Sequence, residues 1–217
     1  MSEKPFPNEI ILSFFDTLIY RRDVDLLDGK HWINDVIIGF YNEYLEKYVY
    51  SENRADICFV HPDVVFACSV STDAAASDIT KDLRLAEKSY VFLPLNNNEH
   101  VDAAGGTHWS LLVYNRLENT FFYLDSWMGH SMKTAKEVAA IMEKALGILE
   151  RPKFQYLDVP QQANGFDCGM YVICFSEALA ASYIKGTPQQ LEHITPSFVA
   201  EKRKKIRDLI WHLRDIF

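Results

Sequence analysis

Positive charge is scarce in this chain: 22 Lys and Arg stand against 30 Asp and Glu, for a formal net charge of −8 and a sequence pI of about 5.3. That balance argues against a nucleic-acid partner held through phosphates and favours a protein partner with a basic face. Long apolar runs are also missing, so no membrane-spanning segment is expected. The opening Met1-Ser2-Glu3-Lys4-Pro5 lacks the basic-then-apolar layout of a secretion signal, which makes the cytosol or nucleus the expected compartment. Cysteine is sparse as well. Cys58, Cys68, Cys168 and Cys174 read as reduced thiols rather than a disulfide framework. There is no internal repeat, low-complexity tract or Gly/Ser linker, so the 217 residues are expected to form one domain, 1–217, with 1–8 loose.

What is present is ordinary globular material, 48% hydrophobic and 24% charged. Val36, Ile37, Phe40, Tyr41, Tyr44, Leu45 and Tyr48 recur at helical spacing and predict a helix over roughly 33–47. Shorter helices are expected near 62–72, introduced by His61-Pro62-Asp63, and near 75–85. Tyr90–Leu95, Trp109–Tyr114 and Thr120–Leu124 read as neighbouring antiparallel strands, with a turn over Asn115–Asn119 between the last two. Thr134 and Glu137 have capping-box spacing and Gly147 supplies a stop, which predicts a helix over 134–146. A strand near 154–159 follows. Residues 168–182 are apolar nearly all round, as a buried helix would be. The last stripe, Ile206, Leu209, Ile210, Leu213 and Ile216, lies beside Lys202-Arg203-Lys204-Lys205, read as a solvated helix face rather than a binding patch.

Cys168 falls where the loop Pro160–Asp167 meets that buried helix. A thiol in the first turn of a helix faces unpaired backbone N–H groups and the positive end of the helix dipole, both of which favour the thiolate. A cysteine hydrolase further needs an imidazole, a group to orient it and donors for the oxyanion. His108 opens one strand and Asp125 ends the next, so a hairpin can bring the two together at one sheet end, with Asp125 fixing the His108 tautomer. Gln162, just upstream of Cys168, is placed to lend its amide NH₂ to an oxyanion, and Gly169 is expected to keep the substrate side of the nucleophile free of a Cβ. Each residue alone has an ordinary structural explanation; the combination carries the reading. Cys58, His61 and Cys68 have irregular spacing, no CxxC pair and no fourth ligand, so neither a metal nor a cofactor is expected.

The segments Gly106-Thr107-His108-Trp109-Ser110, Tyr123-Leu124-Asp125-Ser126 and Pro160-Gln161-Gln162-Ala163-Asn164-Gly165-Phe166-Asp167-Cys168-Gly169-Met170 resemble the three signature segments of the sentrin/SUMO-specific protease family, the ubiquitin-like-protein-specific cysteine proteases. The order His, Asp, Gln, Cys matches too. The resemblance implies a triad of His108, Asp125 and Cys168, with Gln162 as the oxyanion glutamine. Trp32-Ile33-Asn34-Asp35 resembles the family's tail-binding segment, which implies that Trp32, Asp35 and Trp109 bind substrate, the two tryptophans forming a tunnel that passes only a Gly-Gly end. Core packing of the tryptophans and a helix-start role for Asp35 are the alternatives from the residues themselves. Leu124 departs from the Tyr that many members carry before the Asp and leaves the triad intact.

Within the family, Asn96–Tyr114 and Asn34–Phe40 resemble the deneddylating branch, whose selectivity is least legible over Asn96–Ala104. The implied fold is α+β, the papain-like cysteine protease arrangement of the ubiquitin-like protease type, a mixed sheet packed on a buried helix carrying the nucleophile. The implied partners are the neddylation modifier and its conjugates such as cullins, met by a monomer without nucleic acid or membrane. Rival readings are a SUMO-directed protease of the same family, an acyltransferase using the same Cys/His pair, and a module that only binds a ubiquitin-like protein.

Overall fold

The structure, a computed structural model, describes residues 6, 8–53, 55–98 and 105–217. Its centre is a five-stranded mixed sheet in the order β3-β4-β5-β6-β7, built from β3 (Ile57–Phe59), β4 (Tyr90–Asn96), β5 (Trp109–Asn115), β6 (Thr120–Leu124) and β7 (Lys153–Tyr156). β4, β5 and β6 pair antiparallel, as their patterns predict. The outer strands β3 and β7 pair parallel to their neighbours. A parallel neighbour requires a crossover, and the helices supply it.

Both faces of the sheet are covered, which is why the central strands read as continuous apolar runs rather than alternating ones. Leu111, Val113, Phe122 and Leu124 turn to one core, which is completed by α2 (Asp35–Tyr44), α6 (Cys168–Lys185) and α7 (Pro196–Arg214). Leu112, Tyr114, Phe121 and Tyr123 turn to the other, closed by α3 (Pro62–Ser69), α4 (Asp73–Ile79) and α5 (Met132–Ala145). The expected α+β arrangement, a mixed sheet against a buried helix that begins at Cys168, is the one observed. No helix among the described residues is long and apolar enough to cross a membrane.

Several boundaries differ from the sequence reading. The helix expected over 33–47 starts at Asp35, capped by Asn34 Oδ1 accepting from the Ile37 N–H at 3.2 Å, and after Tyr44 widens into a π-helical turn over Leu45–Val49. The helix expected over 75–85 ends at Ile79, and short 3₁₀ turns over Lys81–Leu83 and Leu85–Glu87 replace its last part. α5 begins at Met132, so Thr134 lies inside the first turn and is not the cap. Gly147 does stop it, at a φ of +64° that favours glycine. Four elements were not anticipated: β3, the strands β1 (Ile10–Phe14) and β2 (Thr17–Tyr20) that form a hairpin, and α1 (Arg21–Asp25), into which the hairpin leads. The loose segment expected over 1–8 falls mostly on residues 1–5 and 7, and the least legible loop mostly on 99–104; both sets lie outside the described residues.

The basic run is also misread by pattern alone. Lys204 and Lys205 are exposed, but Arg203 is buried, and Lys202 turns to Glu177 and the Tyr41 hydroxyl. Arg203 Nη2 donates to Asp167 Oδ1 at 2.6 Å and Nη1 to the Leu26 carbonyl at 2.8 Å. Apolar surface along α7 draws this face of the helix inward, and a buried guanidinium is tolerated there because it has a buried carboxylate as partner.

Candidate active site

The sheet end next to α6 collects the residues singled out by sequence. His108 immediately precedes β5, where the Asn97 side chain sets its backbone: Asn97 Oδ1 accepts from the N–H groups of Thr107 (2.7 Å) and His108 (3.1 Å). Gly106 sits at a φ of +87°, and a Cβ there would run into the Asn96 side chain, so the approach to His108 requires glycine. Asp125 follows the last residue of β6. The antiparallel β5–β6 pairing carries both side chains to one end, and His108 Nε2 lies 2.6 Å from Asp125 Oδ1 with both side chains fully enclosed.

Asp125 is bound on every side. Oδ1 also accepts from the Trp127 N–H at 2.9 Å, and Oδ2 accepts from the Tyr123 hydroxyl at 2.8 Å. Its carbonyl accepts from Gln161 Nε2 at 3.1 Å. Burial alone would raise the Asp125 carboxyl, but the hydrogen bonds from His108, Trp127 and Tyr123 hold it below the usual aspartate range. Burial alone would likewise lower the His108 imidazole. The hydrogen bond to Asp125 and its carboxylate charge, with a contribution from Cys168, instead hold it up at about 9. The other ring nitrogen, Nδ1, is buried and makes no well-formed hydrogen bond, and the nearby Cys168 sulfur helps keep the ring charged.

Cys168 is the first residue of α6, after Asp167. Asp167 is fixed twice, by Arg203 and by Asn164 Nδ2, which donates to its Oδ2 at 2.7 Å, so the loop reaches the helix in one defined geometry. Gly169 serves a different purpose from the one expected. A Cβ there would meet Ile33 Cγ1 at 2.6 Å, so the glycine lets the segment entering α2 pack tightly on α6 rather than clearing a path for substrate.

A cavity of about 270 Å³ opens at this point, lined by Trp32, Asp35, His108, Trp109 and Cys168 together with the glycines at 105 and 106. All three residues expected to bind substrate thus share one cleft with the thiol and the imidazole. Trp32 is half exposed, and its indole N–H donates to the Gly165 carbonyl at 2.5 Å, tying this wall to the loop before Cys168. Asp35 is both the first residue of α2 and a cavity residue, so its two readings coexist. Burial raises its carboxyl, and the neighbouring Asp63 carboxylate raises it further.

Gln162 is not among the residues lining the cavity. Its Oε1 accepts from the Ser126 hydroxyl at 2.8 Å, and its NH₂ donates one hydrogen bond to the Asn164 carbonyl at 2.6 Å, which leaves a second amide hydrogen. The other cysteines stand apart. Burial pushes the Cys58 thiol up to about 12 and Cys68 up to about 11, while His61 caps α3 by accepting from the Asp63 N–H. Among the described residues, no group of three or more His, Cys, Asp or Glu side chains is arranged to hold a metal ion.

Sequence reasoning missed five contributors: Asn97, Gln161, Arg203, and the aromatic pair Trp127 and His130 packed against His108. Asn97 and Gln161 act through hydrogen bonds to backbone that no periodicity reveals. What the assembly offers chemically is a thiol beside a charged imidazole, a fully bound carboxylate behind it, and a narrow aromatic-walled cleft in front.

Residues 31–210 match the Ulp1 protease family, C-terminal catalytic domain. Over 207 residues the chain is 40% identical to sentrin-specific protease 8 of Mus musculus, covering 94% of this chain and 93% of that one. It is 32% identical to NEDD8-specific protease 1 of Arabidopsis thaliana, covering 94% and 89%. A solved structure of the C-terminal Ulp1 protease domain in complex with Smt3, the yeast ortholog of SUMO, superposes with a TM-score of 0.74 at 21% identity, covering 96% of this chain and 89% of that one. At that identity the structural likeness speaks to the fold.

Proposed function

The chain belongs to the Ulp1 protease family and is a cysteine protease, and we propose that it cleaves after the C-terminal Gly-Gly of the neddylation modifier, both to mature the precursor and to release the modifier from target lysines. The observation that carries this reading is the single cleft shared by Cys168, His108, Trp32 and Trp109, with Asp125 2.6 Å behind the imidazole. A cleft of about 270 Å³ walled by two indoles has room for an extended tail of glycines. Its likeness to sentrin-specific protease 8 and to a NEDD8-specific protease supports that modifier over SUMO.

In the proposed reaction the Cys168 thiolate attacks the carbonyl carbon of the terminal glycine, forming the S–C bond and placing negative charge on the oxygen. The Cys168 backbone N–H and the second amide hydrogen of Gln162 are the donors for that oxyanion. As the intermediate collapses, the C–N bond breaks and the leaving amine takes a proton from His108. Water then attacks the thioester, giving up a proton to His108, and the C–S bond breaks to return the thiolate and release the modifier's carboxylate. Asp125 holds the imidazole in place through both steps. Trp32, Trp109 and Asp35 hold the tail. We assign cullins as one class of conjugate and read the enzyme as a monomer of the cytoplasm or nucleus.

Covalent capture with C-terminal electrophilic probes of the neddylation modifier, ubiquitin and SUMO tests the reading. Selective labelling by the neddylation probe, lost in Cys168→Ala while non-covalent binding persists, is the expected result. SUMO labelling would move the enzyme to the sister branch, and no labelling at all would bring forward acyl transfer or simple binding.

A further inference from the structure

Outside the cleft, one piece of apolar surface stands directly against the catalytic imidazole. Trp127 is 49% exposed and Met128 70% exposed, and neither belongs to either core. Large apolar side chains shown to water next to a reaction centre are a candidate contact surface. Yet this turn is held firmly. The Trp127 N–H donates to Asp125 Oδ1 at 2.9 Å, the Met128 N–H donates to Gln161 Oε1 at 2.9 Å, and the His130 N–H closes the turn onto the Trp127 carbonyl at 3.1 Å. Gly129 provides the φ of +72° that the turn needs.

The side chains are equally ordered. The Trp127 indole stacks on the His130 ring with 5.5 Å between centroids, and both rings meet His108 edge to face, at 6.1 Å and 5.1 Å. The result is a pre-set ledge bordering the imidazole. None of its residues lines the cleft that holds Trp32, Trp109 and Cys168. His108 is therefore shared by two surfaces, a closed cleft and an open apolar ledge.

We propose that the ledge of Trp127 and Met128 is the leaving-group subsite, which receives the methylenes of the acceptor lysine and the apolar residues beside it on the conjugated protein. This rests on the reading that the enzyme releases a modifier from lysines. With the acyl side of the scissile bond in the cleft, the leaving amine must come within reach of His108 to take its proton, and its next atoms are the lysine methylenes. The ledge offers those atoms an apolar surface bordering the same ring, outside the cleft. Because the turn is fixed by the Asp125 carboxylate itself, a lysine chain packed on the ledge is aligned with the group that protonates it.

The test compares two substrates of the purified enzyme, with the neddylation modifier joined in one case to the lysine side chain of a peptide with apolar flanking residues, and in the other to methylamine, a leaving group too short to reach the ledge. In Met128→Ser, which keeps the backbone hydrogen bond, kcat/KM for the isopeptide divided by that for the methylamide is expected to fall about fivefold, and further in the Trp127→Ser/Met128→Ser double variant. A ratio unchanged in both variants would overturn the ledge while leaving the protease reading intact. A wild-type enzyme that cleaves neither substrate would overturn both.

Discussion

Arg203 and Asp167 are 36 residues apart in the chain and joined in the interior, guanidinium to carboxylate at 2.6 Å, one residue before the thiol. Asp167 also accepts from Asn164, and Arg203 also donates to the Leu26 carbonyl, so the pair ties the loop before Cys168, α7 and the end of α1 to one another. Arg203→Ala leaves the Asp167 carboxylate buried without its countercharge. The expected cost is about 3–5 kcal/mol of unfolding free energy, the range for breaking a buried pair from one side. Chemical denaturation of the two proteins measures it, and a loss comparable to that of an exposed lysine on the same helix, such as Lys205→Ala, would show that the pair contributes little.

Asp125→Asn keeps a side chain of the same shape but removes the charge that helps hold His108 up at about 9 from an ordinary 6.5. Because the folded value lies above the unfolded one, the charged ring's contribution to stability is complete below about pH 6.5 and is lost as pH rises through about 9. In the variant, burial pulls the imidazole down, so that fall in stability over the interval should largely disappear. Turnover should drop on the order of 10³-fold with binding of the modifier little changed. Unfolding free energies across this pH interval, with single-turnover rates, check both; matching pH profiles in variant and wild type would remove Asp125 from its role.

Gly169→Ala places a methyl group 2.6 Å from Ile33 Cγ1 and 3.3 Å from Ile38 Cδ1. In a well-packed interface this overpacking should cost about 1–3 kcal/mol, despite alanine's better helix propensity. Ile33→Ala, which removes a buried side chain, should cost less in the Gly169→Ala background than it does alone. Thermal unfolding of the single and double variants separates the cases, and a stabilised Gly169→Ala would mean that the two segments part without penalty.

How much was legible in the residues depended on where each side chain points. β4, β5 and β6 announce themselves because both faces are buried, and His108 and Asp125 followed from their places at adjoining strand ends. β3 has only three residues, all buried, too few to show a period. The β1–β2 hairpin has a register shift between Ile10 and Leu12 that breaks simple alternation. Arg203 was hidden because a run of four cations looks solvated whichever of them turns inward. Trp127 and Met128 were silent for the opposite reason: their exposure serves no packing pattern, and only the geometry of the turn connects them to His108. The cleft itself was legible through the family segments, whereas the reason for Gly169 became apparent only from its distance to Ile33.

The buried pairing of Asp167 with Arg203 also bears on when the enzyme can become active during its own synthesis. His108, Asp125 and Cys168 are all translated before the helix that carries Arg203. A chain that reaches only as far as Gly186 already holds all three of these residues, but the loop before Cys168 then carries the Asp167 carboxylate without its counterion, and one core lacks α7. The segment that leads into Cys168 is therefore held in its final setting in part by a contact with a helix that follows it in the chain.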